Sequence, residues 1–299
     1  FFFGVNYRKE KLFSRKKIND NQLIKKWREE YEEVFNEYGD ELEGYLKEKI
    51  KIPKLNFKNE QSVLTVYNQV DILINGEEKF PKLLADLKNA KHHIHVEYYI
   101  FLDDKVGKQV IDVLAEKRNE GVEVRVILDA VGSFKISNEA IRKMKRSGIE
   151  VHDYMTVRYP QWANKINYRD HRKIVVIDGT IGYVGGINVD ARYINDNPDQ
   201  MYWRDTHLRI EGDAVQSLQL LFILNWYFAS DDLVTPSQNY FPGNSVEQEN
   251  LVSILGSGPD SDSKSMMEMY FSLITNAQKS VQIATPYFIP NESILTALR

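Results

Sequence analysis

"NYRDHRKIVVIDGTIGYVGGIN", residues 167–188, is the stretch on which the reading of this chain turns. The apolar run Ile174–Ile177 predicts a strand in a buried sheet, a rigid base for the residues at its mouth. Residues two apart on a strand share a face, so His171 and Lys173 project together. A neutral imidazole can act as a nucleophile, and an ammonium can hold an anionic oxygen. Gly182, Gly185 and Gly186 allow close backbone approach on the next strand, and Asn188 adds a neutral donor. Together they describe a small anion site with a nucleophile at its lip. A phosphate diester is its natural occupant.

An imidazole nucleophile needs a carboxylate on its second nitrogen to fix the tautomer and stabilise the cation. Asp205, in "YWRDTHLRI", is the expected partner, because it lies on a strand soon after the glycine pair. Asp178 stands an odd number of residues from His171, so a straight strand turns it to the opposite face. It is read as holding the turn at Gly179. His207, two residues beyond Asp205, shares that face and is a weak candidate acid. Taken singly, each of these residues has a plainer structural reading. The combination carries the argument.

The flanking sequence predicts the scaffold. "HHIHVEYYIF" (92–101), "VEVRVILD" (122–129) and "IEVHDY" (149–154) read as strands, alternating with helices over 106–121 and 137–148. "RKIVVID", "GYVGGI" and "YWRDTHLRI" add three more strands, and 213–230 reads as a long apolar helix packed between lobes. The expected fold is α/β: a mixed, mainly parallel sheet with helices on both faces. Glu97 borders the site if its strand runs parallel to the motif strand. A faint repeat aligns "FPKLLADLKNAKHHIHVEYYIF" (80–101) with "MEMYFSLITNAQKSVQIATPYFIP" (267–290), as in duplicated domains. Its strand at Val281–Ile283 would lack neighbours.

The net charge of −4 speaks against wholesale nucleic-acid binding, and the absence of cysteine excludes disulfides and thiolate chemistry. No convincing metal-ligand cluster or cofactor motif stands in the sequence. The opening "FFFGVNYRKEKLFSRKK" turns from apolar to basic, as at the cytoplasmic end of a membrane helix or in a frayed basic arm. Residues 21–51 carry apolar positions at helical spacing.

His171, Lys173, Asp178, Gly185, Gly186 and Asn188 stand at the spacing of the phospholipase D signature. With "HVEYYIF", "MYWRDTHLRIEGDAVQSLQLLF" and "TPYFIP", the chain resembles bacterial cardiolipin synthases of that superfamily over about residues 68–299. The resemblance implies a phosphatidyl transfer between two phosphatidylglycerols, giving cardiolipin and glycerol through a phosphohistidine. It implies His171 as the attacking group, Lys173 and Asn188 as phosphate ligands and Asp205 as the orienting acid, with Asp178 part of the catalytic motif. No cofactor or metal is implied. Gly186 stands where many superfamily members carry serine, at the border of the site. The implied layout is a membrane-proximal segment and amphipathic helix (1–61), a first catalytic lobe (62–248) and the start of a second (249–299). A second lobe would supply the opposing histidine, and this chain alone is expected to be inactive. The implied location is the bacterial cell membrane, catalytic part on the cytoplasmic side, among membrane lipids. The competing readings are another phospholipase D-type phosphodiesterase, either phospholipase or nuclease, and a non-catalytic phosphate- or lipid-binding fragment.

Overall fold

The computed structural model describes residues 64–155, 169–232, 234, 239–257 and 265–299. In chain order the elements are β1 (Leu64–Ile74), α1 (Asn75–Asn89), β2 (His93–Tyr98), α2 (Lys105–Asn119), β3 (Glu123–Asp129), α3 (Asn138–Arg146) and β4 (Glu150–Tyr154). Then come β5 (Lys173–Ile177), β6 (Ile181–Gly185), a 3-10 turn (Ala191–Ile194), β7 (Thr206–Gly212), α4 (Ala214–Ser230), β8 (Glu249–Ser253), α5 (Ser265–Thr275) and α6 (Glu292–Ala297). The expected basic arm and amphipathic helix of residues 1–61 lie outside the described residues.

Local chemistry explains the boundaries. Asp104 caps α2, its Oδ1 accepting from the Val106 and Gly107 N–H groups. Ser137 caps α3 through the Ala140 N–H. Between β5 and β6, Asp178 and Gly179 both take left-handed backbone, φ 53° and 67°, and the Thr180 N–H returns to the Ile177 carbonyl at 3.1 Å. That tight turn suits the twist of a hairpin.

The chain divides into two compact units, one of them Thr65–Val252. Its strands are ordered β4-β3-β2-β5-β6-β7-β1-β8. β2, β3 and β4 are parallel, joined by α2 and α3 as crossovers. β2–β5, β5–β6, β6–β7 and β7–β1 are all antiparallel. The sheet is mixed with helices on both faces, as expected, but its parallel part stops at three strands. The short turn at Asp178–Gly179 cannot join parallel neighbours, so the hairpin reverses the pattern.

β2 and β5 are buried along their whole length, as central strands covered on both faces must be. On one face Ile94, Val96, Val175, Ile177 and Tyr183 pack with Leu83 and Leu87 of α1 and Val110 and Leu114 of α2. α4 covers the other face, contacting β2, β4, β5, β6 and β7. It packs on this sheet, where the sequence suggested a place between lobes. Its run of Val215, Leu218, Phe222, Ile223 and Trp226 is buried by that contact.

Of the other unit, α5 and α6 belong to the described residues, with the Asn291 amide directed at the Met267 sulfur. The repeat's helix forms here. Its expected strand does not: residues 279–286 contain no strand, and Val281 and Ile283 are 42% and 50% exposed. A lone strand has no ladder to close its backbone hydrogen bonds.

Candidate active site

Antiparallel pairing brings one edge of the sheet together. Tyr98, the last residue of β2, faces Lys173, the first of β5; Gly185 closes β6 opposite His207 in β7. The segments leaving β2, β3 and β6 and those entering β5 and β7 therefore share this edge. They carry Tyr99, Asp129, Asn188, His171 and Asp205.

His171 is exposed, but its ring lies against Tyr99, centroids 3.9 Å apart and planes 20° from parallel. Loss of solvent, then the charge of Lys173, lowers its pKa below the usual histidine value, against the pull of Asp129 and Asp170. A neutral imidazole is the form a nucleophile needs. Lys173 is nearly buried, with Nζ 2.5 Å from the His171 carbonyl and 5.4 Å from the Tyr99 ring centroid. Burial lowers its pKa, while Asp170, Asp205 and Asp129 oppose the shift.

Asn188 is buried and partly committed. Its Oδ1 accepts from the Ile100 N–H at 3.1 Å and its Nδ2 donates to the Tyr193 hydroxyl at 3.1 Å. The amide carries two N–H bonds, so one remains for a ligand. Asp205 precedes β7 and is held by Asn75: the Asn75 N–H reaches the Asp205 carbonyl at 2.9 Å, and the Asp205 N–H reaches Asn75 Oδ1 at 2.9 Å. Its carboxylate accepts from Thr206 N–H and lies where a Cβ on Gly186 would stand, 2.1 Å from Oδ1. Gly186 thus makes room for Asp205. The charges that weigh most on His171 are those of Lys173, Asp129, Asp170 and Arg169, while Asp205 acts on Lys173 and Lys79.

Two expected positions differ. Asp178 lies at the far end of β5, about 20 Å of strand from His171. Its carboxylate accepts from the N–H groups of Lys91, His92 and His93 at 2.7, 2.7 and 3.0 Å, clamping the start of β2. It stands in the Gly179 turn, as its place in the sequence predicts. Strand length separates it from the site, unlike the place in the catalytic motif that the resemblance implies, and its carboxylate ties two strands. Glu97 sits on a strand antiparallel to β5, not parallel, and pairs with Ile174, so it points to the α4 face, away from Lys173. Asn225 donates to it at 2.6 Å. Burial, then the nearby Asp170 charge, push its carboxyl well above the usual range. Burial also works against the Asp170 charge, yet the charge of Arg172 keeps that carboxyl low. Glu97 is thus a buried carboxyl held between Asn225 and the charge of Asp170.

His207 is fully buried with both ring nitrogens unpartnered, and burial and the charges of Lys79 and Lys173 hold it well below the histidine range. It does share the face of Lys173, but a group held neutral is a poor proton donor. Tyr99, Asp170 and Asp129 escaped the sequence reading. Asp170 adjoins His171 and Tyr99 stands in "HVEYYIF", yet neither spacing shows that Asp129 Oδ2 accepts from the Asp170 N–H at 3.1 Å. Among the described residues no cluster of three His, Asp or Glu side chains is arranged to hold a metal, and no helix is long and apolar enough to cross a membrane.

Residues 83–221 match the family model described as "Cardiolipin synthase, PLD-like domain". The chain is 42% identical over 303 residues to cardiolipin synthase 2 of Bacillus cereus, covering 99% of this chain and 57% of that protein. It is 39% identical to the cardiolipin synthase of Geobacillus kaustophilus, over 99% of this chain and 58% of that one. The chain spans little more than half the length of these curated relatives. Its fold resembles the crystal structure of phosphatidylserine synthase from Haemophilus influenzae, with a TM-score of 0.58, 14% identity, and coverage of 83% of this chain and 62% of that one.

Proposed function

We propose that the chain is a phospholipase D-type protein and forms one half-site of a phosphatidyl transferase that makes cardiolipin from two phosphatidylglycerols, a reading supported by the family match and the likeness to cardiolipin synthases. The observation that carries this reading is the Tyr99-backed ring of His171 beside Lys173 on one edge of a buried sheet.

His171 attacks the phosphorus of a phosphatidylglycerol. A P–N bond forms, the P–O bond to the terminal glycerol breaks, and glycerol leaves with a proton from an acid across the site. Lys173 and the remaining Asn188 N–H hold the non-bridging oxygens as negative charge builds on them. The hydroxyl of a second phosphatidylglycerol then gives its proton to the conjugate base of that acid and attacks the same phosphorus, releasing the imidazole and forming cardiolipin. The acid comes from a second lobe, since His207 is buried and neutral. Asp205 tunes this site through Lys173 and through its seat against Gly186. The substrates are membrane lipids, so catalysis takes place at the bacterial membrane surface. The domain layout proposed is an N-terminal membrane-proximal segment, a first lobe ending near β8, and a second lobe opening at α5.

The test uses protein expressed from the complete reading frame that encodes this chain. It is mixed with phosphatidylglycerol in detergent micelles, quenched in alkali and digested for mass spectrometry. A phosphatidyl adduct on His171, absent from His171→Ala together with cardiolipin, is expected. Cardiolipin formed at the normal rate by His171→Ala overturns the assignment. Phosphatidic acid in place of cardiolipin makes the enzyme a phospholipase.

A further inference from the structure

Lys79 is fully buried in the first turns of α1, at the back of the site, and the chemistry above gives it no task. Its Nζ donates to the Ile187 carbonyl at 2.7 Å. The Tyr98 and Phe80 rings flank it, with centroids 4.8 and 4.9 Å from Nζ. Ile187 immediately precedes Asn188, whose side-chain amide oxygen accepts from the Ile100 N–H. The Val189 N–H in turn reaches the Ile100 carbonyl at 3.1 Å. The backbone carrying Asn188 is thus propped on one side by the exit of β2 and on the other by a lysine.

A lysine is a costly choice for such a place. Its amine must leave water, and a methionine would fill a similar space at no such cost. Burial, then the neighbouring Lys173, lower the Lys79 pKa well below its usual range, with Asp205 pulling the other way. The hydrogen bond to Ile187 does not depend on that charge, since amine and ammonium both donate. What methionine cannot supply is the donor itself.

We propose that Lys79 is a positioning residue of the phosphate site: by holding the Ile187 carbonyl it sets the direction in which the Asn188 amide meets a phosphodiester oxygen. This rests on the phosphate-site reading above. Lys79 touches no substrate and acts through Asn188. Its place also explains the α1 geometry, because the same helix start grips Asp205 through Asn75. One helix terminus therefore holds both the Ile187 and the Asp205 segments.

The experiment measures binding of glycerophosphoglycerol, a soluble phosphodiester, to the 299-residue chain by calorimetry, with thermal melts and 15N spectra in parallel. Lys79→Met is expected to weaken binding at least tenfold, with a melting temperature equal to or above wild type. The Asn188 side-chain amide signals should move, while the backbone amides of His92 and His93 at the far edge stay in place. A purely structural lysine predicts the reverse, a lower melting temperature with unchanged affinity, and that result overturns the proposal. If Lys79→Met fails to fold, Lys79→Gln, a shorter donor, decides: threefold or greater weakening supports the proposal, wild-type affinity overturns it. Lys173→Met separates the two levels. If it leaves binding unchanged, or the wild-type chain does not bind, the phosphate-site reading falls and this inference with it. If it abolishes binding while Lys79→Met does not, this inference alone falls.

Discussion

The Tyr99 ring lies 3.9 Å from the His171 ring, tilted only 20°, and the Tyr99 N–H donates to the Arg172 carbonyl at 3.1 Å. One residue thus fixes both the plane of the imidazole and the backbone that carries it. Shielding by that ring contributes to the desolvation that lowers the His171 pKa. Tyr99→Ala should let water reach the imidazole and raise its pKa toward the ordinary histidine value. An NMR titration of the His171 Cε1 proton checks this. A pKa that stays put or falls would assign the shift to Lys173 instead.

Asp178→Ala should damage stability and spare the site. Three backbone N–H groups lose a charged acceptor at the start of β2, far from His171. The expected loss is roughly 2–3 kcal/mol, read from urea unfolding. Glycerophosphoglycerol affinity, measured well below the melting temperature, should match wild type. A selective loss of affinity would return Asp178 to the chemistry.

Gly186→Ala should act through Asp205. The new methyl would stand 2.1 Å from Asp205 Oδ1, a carboxylate already tied to the Thr206 N–H. Displacing it removes charge that supports the Lys173 ammonium, so the Lys173 pKa should fall further. Asp205→Asn should lower the same pKa. The double variant should show less than the sum of the two shifts, because both remove one interaction. Additive shifts in the Lys173 Nζ titration would show that Gly186 acts by another route.

His93 should make the fold acid-sensitive. Burial first, and neighbouring His95 next, lower its pKa to about 3. Below its ordinary value of 6.5 the unfolded chain binds a proton that the folded chain refuses. Its contribution is therefore complete above that value and is lost as pH falls toward 3. Glu97 works in the opposite direction, since its raised pKa favours the folded state at low pH. Comparing wild type with His93→Asn isolates the histidine. The variant should flatten the dependence of unfolding free energy on pH by about 1.4 kcal/mol per unit between roughly pH 6 and pH 4. Parallel curves would mean that the ring protonates freely in the folded state.

The strand at Ile174–Ile177, the hairpin after it and the helices ahead of it are legible in the local sequence. Those features rest on apolar periodicity and turn chemistry, which are local. The sequence also made Asp205 and Asn188 members of one small set. Strand direction was decided in three dimensions, because sheet neighbours are chosen by hydrogen-bond pairing across the fold. That choice put Tyr99 on His171, turned Glu97 to the α4 face and brought the start of β2 to the Asp178 carboxylate. The tertiary structure alone likewise buried Lys79 against Ile187 and seated Asp205 in the space left by Gly186. Val281–Ile283 shows the same division from the other side. Its residues favour a strand, but a strand exists only where a neighbour can take up its N–H and carbonyl groups.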